Sequence, residues 1–152
     1  MPELYFEDFQ AGQIFESRGI TLTESEIIDF ALRYDPQPFH IDKTAAETGP
    51  YAGLIASGFQ TLVLTFRMML QENLIFAASM GSPGIDEVRW LRPVRPGDTL
   101  RMRMEIKDCR ESRSKPDRGI LICAYTGLNQ HDEPVISFTA TQIFRRRPEM
   151  PD

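Results

Sequence analysis

The apolar residues of the chain change their period several times, and each change marks an element. From Gly12, the stretch GQIFESRGITLT is rich in β-branched and aromatic residues and predicts a first strand. Thr23 then stands three residues before Glu26, the spacing of a capping box that opens a helix. Ile27, Phe30, Ala31 and Tyr34 follow at helical spacing and predict one apolar face. Pro36 disfavours the helical conformation in the residue before it, so the helix is predicted to stop at Tyr34 or Asp35. Pro36 to Tyr51 has no period and holds Pro36, Pro38, Gly49 and Pro50. An irregular excursion is expected there, with one short helical turn around Thr44 to Glu47. Excursions of that length inside a compact domain are uncommon and often functional.

The next stretch, GLIASGFQTLVLTFRMMLQENLIFAAS, is apolar on nearly all sides. It predicts a helix wrapped by other structure rather than laid on a surface. The remainder reads as strands. SPGIDEVRWLRPV is one, and RPGDTL is a turn. Leu100 to Asp108 alternates, with Met102, Met104 and Ile106 on one face and Arg101, Arg103, Glu105 and Lys107 on the other. SRSKPDRG reads as a hairpin turn, and ILICAYTGL, apolar on both faces, as a strand in the middle of the sheet. NQHDEP is a further turn and VISFTATQIF the last strand. The order is strand, helix, excursion, long helix, then four antiparallel strands. That order predicts an α+β fold in which a curved sheet grips a central helix.

Length and charge narrow the picture. At 152 residues the chain fits one domain, taken as 1–152. A net charge of -5 argues against nucleic acid as the main partner, and the local run RRRP reads as a solvated tail. The longest apolar run, Ala56 to Ala78, is interrupted by Gln60, Arg67, Gln71, Glu72 and Asn73, so a buried helix is expected and no membrane span. The start, MPELYFEDF, is acidic and lacks the apolar core of a secretory signal, which makes the cytoplasm the expected compartment. Cys109 and Cys123 are too few for a disulfide framework and lack metal-ligand spacing. They flank one predicted hairpin and read as small buried apolar residues.

Candidate chemistry concentrates in RYDPQPFHID, Arg33 to Asp42, which carries one of the two histidines. Asp35 and His40 are five residues apart, a spacing that on one helix would point them in different directions. On a segment stiffened by two prolines both side chains can be held toward one point. A carboxylate and an imidazole that converge can hold a water between them, one removing a proton while the other donates one. Histidine suits the task because its reference pKa of about 6.5 puts both protonation states within reach near neutral pH. Two plainer readings stay open: Asp before Pro is a common turn former, and His40 could be a packed histidine bonded to a backbone carbonyl. Asp42 is close, but no second histidine or cysteine completes a metal set. His131 falls in a turn and reads as a solvated surface residue. Ser57 as a nucleophile would need a neighbouring base, and ASGF lacks the full nucleophile elbow. Tyr34 and Tyr51 flank the segment and are expected to pack against it.

PYAGLIASGF places Gly53 and Gly58 around the start of the long helix. Unpaired N–H groups at a helix start favour negative charge, and glycine lets a substrate approach the backbone. A thioester carbonyl turning into an enolate would be stabilised there. Simple helix initiation is the alternative.

With these residues in view, the chain resembles the MaoC-like dehydratase domain, the family of the (R)-specific enoyl-CoA hydratases, over nearly its whole length. DPQPFH supplies Asp35, Pro38 and His40 at the places of the family's D-x-N-P-x-H motif. ASGF resembles the family's helix start, with Gly58 at the oxyanion glycine. SPGIDEVRWLRPVRPGDTL is similar to the strand and turn that follow in many members. The resemblance implies a hot dog fold and reversible addition of water to a trans-2-enoyl-CoA, giving a 3-hydroxyacyl-CoA. It implies Asp35 and His40 as the catalytic pair, and Gly58, Ser57 and Gln37 as the oxyanion and substrate-binding set. It implies no metal and no cofactor, an acyl-CoA thioester as partner, and a homodimer or a higher assembly of dimers. The chain departs from the motif at Gln37, where the stricter hydratases have Asn, which puts the loop shape or substrate preference in question. Two other readings stay open on the same fold: an acyl-CoA thioesterase, and a non-catalytic subunit of a heteromeric hydratase.

Overall fold

The computed structural model describes residues 4–72 and 78–151. Four strands build most of the sheet: β3 (Gly84–Trp90), β4 (Thr99–Glu111), β5 (Arg118–Leu128) and β6 (Pro134–Arg145). Two short strands, β1 (Ile14–Glu16) and β2 (Ile20–Thr21), both pair antiparallel with β4. The order across the sheet is β1-β4-β5-β6-β3, antiparallel throughout. β5 is central, as its two apolar faces predict. The alternation of β4 holds as well: Met102, Met104 and Ile106 are fully buried.

The single first strand expected over Gly12 to Thr23 is instead broken in two at Ser17. The Ser17 N–H donates to the carbonyl of Met102, and its hydroxyl accepts from the Met102 N–H at 2.8 Å. A side-chain oxygen thus takes the place of a ladder carbonyl, and the pairing resumes one residue out of step.

Helix α1 (Glu24–Tyr34) opens on the predicted box: the Glu26 N–H donates to the Thr23 hydroxyl and the Thr23 N–H to the Glu26 carboxylate. It stops at Tyr34, and Asp35 sits outside helical conformation ahead of Pro36. Its buried stripe is narrower than expected. Ile27 and Ala31 are buried, whereas Tyr34 is exposed and packs on Phe30.

The excursion is more ordered than its sequence suggests. It contains two short helices, α2 (Pro38–Ile41) and α3 (Lys43–Glu47). Pro38 occupies the first turn of α2, where its missing N–H costs nothing and its fixed φ is already helical. Asp42 caps α3 by accepting from the Ala45 N–H at 3.0 Å.

Helix α4 (Gly58–Gln71) crosses β4 and β5. The predicted extension of this helix over residues 73–77 lies outside the described residues. The sheet grips this helix as expected, on one side of it. Thr61, Thr65, Met68 and Met69 are buried against the sheet, but Phe59, Val63 and Phe66 are exposed along the opposite flank. Burying two threonines on the inner side is tolerable because their hydroxyls return to helix carbonyls, Thr65 to Thr61 at 2.7 Å and Thr61 to Ser57 at 3.5 Å. The core between helix and sheet is built from Met68, Met69, Met104, Ile106, Leu121, Tyr125, Ile136 and Phe144. Cys123 faces Ile106 across β4 and β5, and Cys109 faces Leu121; both are free thiols. Burial, with a smaller contribution from Cys109, pushes the Cys123 thiol up to about 12, which leaves it inert. Among the described residues no helix is long and apolar enough to cross a membrane.

Candidate active site

The backbone turns that follow α1 bring Asp35 and His40 together. The Asp35 N–H closes the helix on the carbonyl of Ala31, the Gln37 N–H returns to the Asp35 carbonyl at 2.8 Å, and the His40 N–H to the Gln37 carbonyl at 2.9 Å. These bonds fold the five-residue span so that His40 rides on the first turn of α2 rather than on irregular chain. His40 is buried at 4 % exposure. Its Nε2 lies 3.2 Å from Oδ2 of Asp35. The edge of the Phe39 ring supports the imidazole, and Tyr51 packs on Phe39 in turn.

The other imidazole nitrogen settles how the pair is wired. Nδ1 lies 2.7 Å from the carbonyl oxygen of Ile55. A carbonyl only accepts, so Nδ1 carries a hydrogen and donates it. Nε2 then faces a carboxylate oxygen, within reach of a proton passing between the two groups. The bond to a backbone carbonyl expected of a packed histidine is therefore present at Nδ1, while Nε2 is turned to Asp35.

Asp35 is held by three donors. Gln37 Nε2 donates to Oδ1 at 2.7 Å, the Ser57 hydroxyl donates to Oδ2 at 2.7 Å, and His40 meets the same Oδ2. Partial burial alone would raise its pKa, but the hydrogen bonds from Gln37, Ser57 and His40 together outweigh it and hold the carboxyl below its ordinary value.

A cleft of about 430 Å³ opens onto this pair. Asp35, Gln37, His40, Gly58, Thr61 and Trp90 are among its lining residues. Gly58 is the first residue of α4, and its N–H has no hydrogen-bond partner among the described residues. The carbonyl of the same peptide, on Ser57, accepts from the Thr61 N–H at 3.1 Å, which polarises the Gly58 N–H further. Gly58, expected as the oxyanion glycine, thus borders the same cleft as Asp35 and His40.

Ser57 stands elsewhere than expected. It is fully buried and does not line the cleft. Its hydroxyl is spent on Asp35 and on capping α4 through the Phe59 N–H at 3.3 Å. Gln37 borders the cleft but directs its amide at Asp35. His131 is exposed, as predicted, and Tyr34 is absent from the lining. Two participants escaped the sequence reading. One is the Ile55 carbonyl, which no residue type announces. The other is Trp90, whose signal was its standing as the single tryptophan of the chain.

A curved antiparallel sheet laid across one long helix is the hot dog fold. Residues 8–120 match the family described as MaoC like domain, and the chain belongs to that family. A solved MaoC-like dehydratase from Rhodospirillum rubrum is 36% identical, with a TM-score of 0.89 over 96% of this chain and 99% of that one. Nodulation protein N of Rhizobium meliloti is 37% identical over 140 residues, covering 88% of this chain and 84% of its own length. The 3-hydroxyacyl-thioester dehydratase Z of Mycobacterium tuberculosis is 33% identical over 94 residues, covering 60% of this chain and 62% of its own.

Proposed function

We propose that the protein is a hydro-lyase that adds water reversibly to a trans-2-enoyl-CoA and yields the 3-hydroxyacyl-CoA. The observation that carries this reading is the 3.2 Å contact between Asp35 Oδ2 and His40 Nε2, on a cleft that also holds the unpartnered Gly58 N–H. Water placed at the pair loses one proton to it as its oxygen bonds to Cβ. The π electrons of the Cα–Cβ bond move toward Cα and the thioester carbonyl, and the developing oxyanion is met by the Gly58 N–H. The pair returns one proton to Cα. Protons balance because the pair takes one from water and gives one to Cα.

The same reading includes a homodimer. The exposed flank of Phe59, Val63 and Phe66 on α4, and the uncovered edge of β3, are surfaces a second copy would bury. It also includes a cytoplasmic location, where two unpaired cysteines persist as thiols.

The test is loss of the conjugated enoyl absorbance from a series of short to long trans-2-enoyl-CoA esters. The wild type is expected to consume at least one of them. Asp35→Asn and His40→Ala are each expected to lose roughly a hundredfold or more in rate with circular dichroism unchanged. Wild-type rates in both variants would refute the acid/base assignment, and thiol release without hydration would favour a thioesterase.

A further inference from the structure

We propose that Trp90 sets the Gly58 amide in place and forms the wall against which the acyl chain lies, an assignment that rests on the hydratase reading above. The indole Nε1–H donates to the Gly58 carbonyl at 2.8 Å and so ties β3 to the first turn of α4. The ring lies directly against the bare Cα: a Cβ on Gly58 would stand 2.5 Å from Nε1 and 2.6 Å from Cε2. Phe59 braces the indole edge-on, with ring centroids 6.0 Å apart. Half of the Trp90 surface nevertheless stays open, and the residue borders the same cleft as Asp35 and His40. An aromatic with a satisfied N–H and an uncovered face is built to meet an apolar ligand.

The strand that carries Trp90 is shaped to aim it. Glu87 adopts a positive φ of 56°, and the register of β3 against β6 slips between Asp86 and Arg89. Immediately after Trp90, the N–H groups of Leu91 and Arg92 both donate to the Val135 carbonyl, at 2.9 and 3.4 Å, which fixes the end of the strand to β6. The segment leading into α4 is also held to this side through the Ala56 N–H on the Val94 carbonyl at 2.8 Å. Trp90 therefore holds Gly58 from the β3 side while Ser57 ties the same helix start to Asp35; its positioning role is exercised through its N–H, and its ring offers the contact to substrate.

Trp90 is the single tryptophan of the chain, so its emission reports on this wall without labelling. The wild type is titrated with butyryl-CoA, a saturated ester that cannot be hydrated, and with free CoA. A saturable change in emission is expected with butyryl-CoA and none with CoA at the same concentrations. Trp90→Phe, which keeps a ring and loses the donor, is expected to lower kcat roughly tenfold while KM stays within about threefold. Trp90→Ala is expected to raise KM as well. Equal responses to CoA and butyryl-CoA, or a Trp90→Phe variant with wild-type kcat, would overturn the assignment. The two readings fail separately. An active wild type with silent emission sinks the role of Trp90 alone. A wild type that responds to butyryl-CoA yet hydrates no enoyl ester upholds the wall and sinks the hydratase.

Discussion

Replacing Ser57 with alanine tests how Asp35 is held. The hydroxyl is fully buried and serves two bonds: it donates to Asp35 Oδ2 at 2.7 Å and accepts from the Phe59 N–H at 3.3 Å. Losing a helix cap costs about 1 kcal/mol. Losing a hydrogen bond to a charged group costs about 1.5 kcal/mol or more. A destabilisation of about 2–3 kcal/mol is expected, read from urea midpoints with unchanged slope. The pH dependence carries the sharper signal. Partial burial pushes the Asp35 pKa up, and the donors from Gln37, Ser57 and His40 together bring it below the ordinary value. A carboxyl depressed in the folded state contributes stability above its unfolded pKa, and that contribution fades as pH falls through the folded value. Without Ser57 the depression weakens, so the Asp35 pKa rises toward the ordinary range. The acid limb of the rate profile should move to higher pH with it, because the carboxylate is lost earlier on acidification. Rate profiles of wild type and Ser57→Ala on the same enoyl ester measure this. An unmoved acid limb together with unchanged stability would show that the hydroxyl does not govern Asp35, and the wiring described above would be wrong.

Other outcomes follow from packing. Gly119→Ala places a Cβ 2.3 Å from the ring of Phe6, which lies over β5, and is expected to cost about 1–3 kcal/mol in thermal or urea unfolding with the rate constants unchanged. Val63→Glu combined with Phe66→Glu puts two charges on the exposed flank of α4; light scattering is expected to show the proposed dimer for the wild type and monomers for the variant, and an equal mass for both would remove this flank from the interface.

What could be read from the sequence was local. The capping box at Thr23 and Glu26, the stop before Pro36 and the alternation of Met102, Met104 and Ile106 each depend on residues within a few positions of one another. All three stand in the structure. The convergence of Asp35 and His40 was legible for the same reason, since five residues and two prolines leave few ways to fold. Features that depend on distant partners were not. Ser17 breaks the first strand because Met102 lies opposite it, and Ser17 alone gives no sign of that. The apolar stretch of α4 announced a helix but not which side meets the sheet; hydroxyls that bond back to their own helix let Thr61 and Thr65 face inward. Ser57 looked like part of the substrate shell because it adjoins Gly58, but the N-cap geometry turns its side chain back toward Asp35. Trp90 looked like one strand residue among others until Gly58, 32 positions earlier, was found beneath its ring.

The most direct test of the acid/base pair is to incubate the protein with a trans-2-enoyl-CoA ester in water enriched in the heavy oxygen isotope and to weigh the products. Addition of water by Asp35 and His40 predicts one heavy oxygen on C3 of an intact 3-hydroxyacyl thioester, with no such product from Asp35→Asn. Heavy oxygen found only in a released carboxylic acid, or an ester recovered unchanged across the whole chain-length series, would contradict it.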